Sequence, residues 1–227
     1  VMVTKQGIIK RISLNAYNTA RKGGLIALEL NEGDELAWVR LTDGNQQVIV
    51  ATKNGLAIRF EETDVRPMGR QARGVKAISL REGDCVVGMC VVANDDLILT
   101  ASETGFGRIS NVSDYRLQSR GGKGITNYHT EKYGNVAAVS AVKLDEDIII
   151  ISQEGVIIRI AADTVRICNR PSKGVTLMRI GENDKVVTVA RAPHEDSESE
   201  KTEETAEEET SEENTAPETN AEENTEE

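Results

Sequence analysis

TKQGIIKRI (residues 4–12), TKNGLAIRF (52–60), SETGFGRIS (102–110) and SQEGVIIRI (152–160) repeat one pattern through the chain. Each places a turn glycine, at Gly7, Gly55, Gly105 and Gly155, with intervals of 48, 50 and 50. A second series, Gly24, Gly74, Gly124 and Gly174, keeps an interval of 50 throughout. A third runs through NEGDE, REGDC, YGNVA and GENDK, at Asp34, Asp84, Asn135 and Asp184. Three landmarks in register over four copies identify a repeat architecture of blades, solenoid turns or arrays.

Each copy reads as four short strands. In the second these are VIVAT (48–52), LAIRF (56–60), VKAISL (75–80) and CVVGMCVV (85–92). Short lengths, β-branched enrichment and punctuation by KNG and EGD favour strands over helices. The pattern predicts an all-β, propeller-like fold of four blades of four antiparallel strands, spanning about 1–46, 47–96, 97–147 and 148–192. Trp38 occurs once, so the recurring Trp-Asp pairs of the WD class are missing.

Charge is unevenly distributed. From Glu195 onward, sixteen acids stand against the single Lys201, a net of about -15. Residues 1–194 hold 26 Lys/Arg against 22 Asp/Glu, a net of about +4. The tail, 195–227, has too little apolar surface to offset ordering entropy and is expected to be disordered. Tethered at an effective concentration of ~mM, it is expected either to compete with a polyanion for the bases of the body or to serve only as a solubilising extension. No segment approaches the roughly 20 apolar residues that span a bilayer. Cys85, Cys90 and Cys168 sit among apolar residues, which fits free thiols in a cytoplasmic protein.

If the four strands of a repeat form a meander, the A–B and C–D turns share one end of the sheet and the B–C loop lies at the other. The C–D turns carry Glu32, Asp34, Glu82, Asp84, Glu182 and Asp184. The B–C loops RPMGRQARG, RLQSRGGKG and RICNRPSKG carry bases in the form Arg-x-x-Lys/Arg-Gly. These are Arg70 with Arg73, Arg120 with Lys123, and Arg170 with Lys173; TARKGG contributes Arg21 and Lys22. One basic turn is ordinary solvated surface. Four in register make a charged track suited to a repeating polyanion, with DNA the obvious one. Glycine there lets backbone N–H groups approach phosphates, but a turn also needs it for positive φ. Lys10, Arg11, Arg59, Arg108 and Arg159 on the B strands form a second tier, either phosphate contacts at a blade edge or outward-facing strand cations.

QSRGGKG (Gln118, Ser119, Arg120, Gly121, Gly122, Lys123, Gly124) resembles the gyrase A box, usually Gln-basic-Arg-Gly-Gly-basic-Gly. The surrounding repeats resemble the C-terminal domain of the DNA gyrase A subunit, over residues 1 to about 192. The resemblance implies a β-pinwheel, typically of about six blades, of which the four here resemble the last four. It also implies DNA wrapping at the rim, in support of ATP-dependent negative supercoiling by double-strand passage. The implied partners are double-stranded DNA, the rest of gyrase A, and gyrase B in an A2B2 assembly. ATP and Mg2+ belong to that holoenzyme, and its setting is the bacterial cytoplasm and nucleoid. The box proper lies in the first blade of such domains, whereas QSRGGKG is in the third unit and has Ser119 in place of a base. It therefore reads as a box-like loop of a later blade. The A subunit of topoisomerase IV and a protein-interaction propeller are the alternatives.

Cleavage in this family uses a tyrosine nucleophile. Tyr17, Tyr115, Tyr128 and Tyr133 lie in no segment resembling that motif, and Tyr17 and Tyr115 share a repeat position with Val65 and Val165, which marks it as a packing site. The chain has no Gly-x-x-x-x-Gly-Lys-Ser/Thr loop for nucleotide, and Cys85 with Cys90 has the wrong spacing for zinc. No catalytic, cofactor or metal residue is assigned.

Overall fold

In QVIVAT, Val48 and Val50 face one way and Ile49 and Ala51 the other, and all four are buried. A strand covered on both faces belongs to a stack of sheets. The computed structural model describes residues 1–18 and 23–194, all β apart from one helical turn at Thr130–Tyr133 (α1) and short 3-10 turns. The acidic tail beyond residue 194, with Arg21 and Lys22, lies outside the described residues.

The first repeat supplies β1 (Met2–Thr4), β2 (Ile8–Lys10) and β3 (Leu36–Val39). The second supplies β4 (Gln47–Thr52), β5 (Leu56–Glu61), β6 (Val75–Lys76) and β7 (Val86–Val92). The third has β8 (Leu97–Ser102), β9 (Phe106–Asn111), β10 (Ile125–Thr126) and β11 (Val136–Val142). The fourth has β12 (Glu146–Ser152), β13 (Ile157–Ala161), β14 (Val175–Thr176) and β15 (Val186–Pro193).

The expected blades are present, but they are not meanders of single repeats. Sheet orders are β3-β1-β2-β6, β7-β4-β5-β10, β11-β8-β9-β14 and β15-β12-β13. The third strand of the second, third and fourth repeats therefore leaves its own unit and completes the blade before it. Val75 pairs with Ile9, Ile125 with Ala57 and Val175 with Gly107, all antiparallel. This strand spans two residues rather than the six read from VKAISL. Short outer strands leave little unpaired edge. Residues 24–30 of the first repeat form no strand, and β13 has no outer partner among the described residues.

The exchange depends on glycine at one position. Gly124 has φ +74°, and a Cβ there would lie 2.5 Å from the carbonyl oxygen of Ala57 on the blade it joins. Gly24 has a similar φ of +72° and nothing within 4 Å.

Packing is between neighbours. Val3, Ile9, Val48, Val50, Ile58 and Phe60 form a core between the first and second blades. Ile49, Ala51, Ile98, Tyr115 and Val139 do so between the second and third, and Leu99, Ile109, Ile148, Ile150 and Val165 between the third and fourth. Each fully buried aliphatic side chain contributes about 1.5–3 kcal/mol before entropy is charged against it. Of the residues sharing one repeat position, Val65, Tyr115 and Val165 are buried, as the Val/Tyr alternation predicts, whereas Tyr17 in the first repeat is only half-buried.

Acids of the C–D turns serve the fold. Asp34 Oδ1 accepts from the amides of Gln6 (2.9 Å) and Glu35 (2.8 Å), and Asp84 Oδ1 from Asn54 and Cys85 (both 2.9 Å). Asp184 Oδ1 accepts from Glu154 (3.0 Å) and Lys185 (2.8 Å), so one carboxylate ties the A–B turn to the C–D turn in three repeats. Asp184 is held below the ordinary carboxylate range, first by a side-chain hydrogen bond from Ser152 and then by backbone amides. Asn135 takes the position in the third repeat and donates to Glu103 (3.2 Å).

Candidate nucleic-acid interface

After the B strands of the second, third and fourth repeats the chain makes a 3-10 turn, at Glu62–Asp64, Val112–Asp114 and Ala162–Thr164. It then buries residue 65, 115 or 165 and crosses to the preceding blade. The crossing is fixed by parallel bridges, Pro67 to Arg11, Leu117 to Arg59 and Ile167 to Ile109. The amides of Met68, Gln118 and Cys168 donate to the carbonyls of Arg11, Arg59 and Ile109 at 2.9, 2.9 and 2.8 Å. The basic loop follows and leads into the outermost strand of the neighbouring blade. The loops therefore lie along the outer edge, opposite β7, β11 and β15, which line an inner cavity of about 530 Å3.

The basic residues divide by environment. Arg120 donates through Nε to the carbonyl of Asp64 (2.9 Å) and through Nη1 to that of Lys76 (3.2 Å). Arg170, fifty residues on, donates through Nε (2.9 Å) and Nη2 (2.6 Å) to Asp114 and through Nη1 to Thr126, with its guanidinium 5.1 Å from the Tyr115 ring centroid. These arginines clasp one blade to the next. Arg70 is half-buried, and its carbonyl accepts from Lys10 Nζ (2.6 Å).

The second base of each pair differs again. Arg73 is exposed and paired with Glu29 at 2.7 Å, an ordered-body carboxylate that offsets its charge. Lys123 is exposed and has no ion pair among the described residues. Lys173 places Nζ 3.5 Å from the centroid of the Phe106 ring.

Within the box-like loop of Gln118, Ser119, Arg120, Gly121, Gly122, Lys123 and Gly124, Gln118 and Gly124 lie against β5 of the second blade and Gly121 against the segment that follows β6 on the first. The Gly121 amide donates to Ala77 (2.6 Å), while Ser79 donates through its amide to Gly122 and through Oγ to Gly121, both at 2.8 Å. The Gly121 amide, expected to be free to approach a phosphate, is thus used in blade packing.

The second tier needs a larger correction. Lys10 has no exposed surface and donates to Ala27 (2.8 Å) and Arg70 (2.6 Å). Arg59 is buried among Gln47, Asn94 and the carbonyls of Val112 (2.9 Å) and Tyr115 (3.1 Å). Arg108, also fully buried, donates to Asn127 O (2.6 Å) and lies 5.6 Å from the Tyr128 ring centroid. Desolvation lowers the pKa of all three. They are neither edge contacts nor outward-facing; they satisfy carbonyls inside the stack. Arg11 donates to Gly44 O (3.3 Å), and Arg159 pairs with Asp147 (2.6 Å) and donates to Pro193 O (2.7 Å).

A further series is absent from the sequence-based expectations. Arg66, Arg116 and Arg166 recur at an interval of 50, eleven residues after each turn glycine, and Asn18 stands near that point in the first repeat. All three arginines are exposed, and their side chains make no hydrogen bond, ion pair or ring contact among the described residues. Their exact spacing is the signal that the sequence carries, and the glycine-rich loops just downstream mask it. Among the described residues no group of His, Cys, Asp or Glu is placed to hold a metal ion. No helix among them is long and apolar enough to cross a membrane.

Known proteins resemble this chain in both sequence and fold. A 74-residue stretch is 60% identical to the DNA gyrase A subunit of Halalkalibacterium halodurans, covering 33% of this chain and 9% of that protein. Over 76 residues the chain is 57% identical to the DNA gyrase A subunit of Clostridium acetobutylicum, covering 34% and 9%. The C-terminal domain of DNA topoisomerase IV superposes with a TM-score of 0.81 at 26% identity, over 92% of this chain and 65% of that one. A DNA gyrase A C-terminal domain gives 0.74 at 29% identity, over 84% and 64%. The matched stretch thus spans about a tenth of the curated relatives, and the chain just under two-thirds of the solved domains. The family described as DNA gyrase C-terminal domain, beta-propeller, matches residues 1–43, 46–92, 96–143 and 146–193. On those four consecutive matches and the four stacked blades beneath them, the chain belongs to the DNA gyrase C-terminal domain family.

Proposed function

We propose that this chain is the DNA-wrapping part of a bacterial DNA gyrase A subunit. In this reading it binds double-stranded DNA through phosphates, without reading bases, and bends it along the outer edge of successive blades. The observation that carries the reading is the recurrence of cations at the crossover between blades, in a family whose relatives are gyrase A subunits. A cation once per blade matches a polyanion better than it matches a compact ligand. Strand passage, ATP and Mg2+ are assigned to the rest of gyrase A and to gyrase B in an A2B2 assembly within the cytoplasm and nucleoid. This chain offers no triphosphate loop of its own. A topoisomerase IV A subunit is the second reading, favoured by the fit to that enzyme's C-terminal domain. In an assembled enzyme, supercoiling of relaxed plasmid supports gyrase, and decatenation without supercoiling supports topoisomerase IV.

Fluorescence anisotropy with a labelled duplex of arbitrary sequence tests the binding step. With about six phosphates neutralised, log K falls against log salt with a slope of roughly -5. Affinity indifferent to salt would remove the phosphate reading and leave an interaction propeller.

A further inference from the structure

We infer that Arg66, Arg116 and Arg166 are the principal phosphate contacts, and that Arg120 and Arg170 are positioning residues for Arg66 and Arg116. This rests on the DNA-binding reading above and goes past it by dividing the labour among the arginines.

Each exposed arginine stands between two fixed points. The residue before it, Val65, Tyr115 or Val165, is at most 2% exposed. The residue after it, Pro67, Leu117 or Ile167, is bridged to the preceding blade. The backbone is therefore held while the guanidinium stands in solvent. The neighbouring acids do not neutralise it, because Asp64 and Asp114 form no ion pair with Arg66 or Arg116. An unpaired guanidinium on a fixed stem is suited to bidentate phosphate binding. By contrast, Arg120 and Arg170 use two or more donors each on carbonyls of their own fold.

The carbonyl that Arg120 grips belongs to Asp64, two residues before Arg66. The one that Arg170 grips belongs to Asp114, two residues before Arg116. A box-like loop thus clamps the turn that presents the cation of the preceding repeat. At the fourth repeat the turn is closed locally, with Thr164 Oγ1 donating to Ala161 O (2.6 Å), and no arginine clasps Thr164 among the described residues. Arg166 is consequently an internal control.

Duplex binding by the 227-residue chain is measured by anisotropy across a salt series, with a thermal melt for each variant. Changing Arg66, Arg116 and Arg166 together to Ala makes the salt slope shallower by about 0.9 per arginine and leaves the melt in place. Arg66→Ala costs less affinity in an Arg120→Ala background than in the parent, whereas Arg166→Ala costs the same in both. A general loss of structure would not separate Arg66 from Arg166. Should Arg120→Ala fail to fold, Arg120→Lys, which keeps the charge and loses the planar guanidinium fork, shows the same coupling in smaller measure. A triple variant with the parent's steep slope overturns the contact assignment while the DNA reading stands. Strict additivity of Arg66 with residue 120 overturns the positioning role. A parent chain with a flat salt response sinks the DNA reading and this inference together.

Discussion

Arg59 donates through Nη1 to the carbonyls of Val112 and Tyr115, and its remaining nitrogens reach Gln47 and Asn94. Removing such a donor strands buried acceptors, which costs more than the bond itself contributes. Arg59→Met is expected to lower stability by about 2–3 kcal/mol while leaving the salt slope of duplex binding unchanged, as urea melts and anisotropy would report. A second residue-scale prediction concerns Cys90. Burial pushes its thiol up to about 12, so the folded state favours the protonated form. The sign follows: its contribution is complete below the ordinary thiol pKa of about 8.5 and is lost as pH rises towards the folded value. Cys90→Ala should flatten the alkaline limb of the stability profile between about pH 9 and 12 relative to the parent chain. At pH 8, alkylation followed by mass analysis should find native Cys90 unmodified.

Among elements, the exchanged strand has the largest consequence. Only two of its residues pair, yet it carries the second, third and fourth repeats each into the blade before. Gly124 and Gly24 share a positive φ but differ in surroundings, so substitution separates strain from contact. Gly24→Ala should cost about 1 kcal/mol, the left-handed penalty alone. Gly124→Ala should cost at least about 2 kcal/mol more, because its Cβ meets the backbone oxygen of Ala57 as well. Equal losses in denaturant melts would mean that the close approach is readily relieved. The repeating glycine was legible in the sequence; which blade its strand joins was not. A two-residue strand carries no periodicity of its own, and nothing local distinguishes pairing within a repeat from pairing across repeats.

For the whole molecule, three separate cores join blades only to their immediate neighbours, so stability is a sum over adjacent interfaces. The second and third blades are covered on both faces, while β13 and β15 show mixed or largely exposed patterns. Hydrogen exchange should therefore be slowest in β4, β5, β8 and β9 and faster in β3, β13 and β15. Uniform protection across all four blades would show that the stack opens only as a unit.

The sequence by itself determined the repeat, the strand character, the turn glycines and the excess of bases in the B–C loops. Those properties are set by residues a few positions apart, through turn chemistry and alternation, and they recur in register. Tertiary structure decided which bases are available. Lys10, Arg59 and Arg108 are as cationic on paper as Arg66, and only the stacking of blades turns the first three inward onto carbonyls and leaves the last in water. Burial of a long side chain depends on the carbonyls that the stack brings to it from 17 to 60 residues away, and a charge in a string of letters carries no record of them.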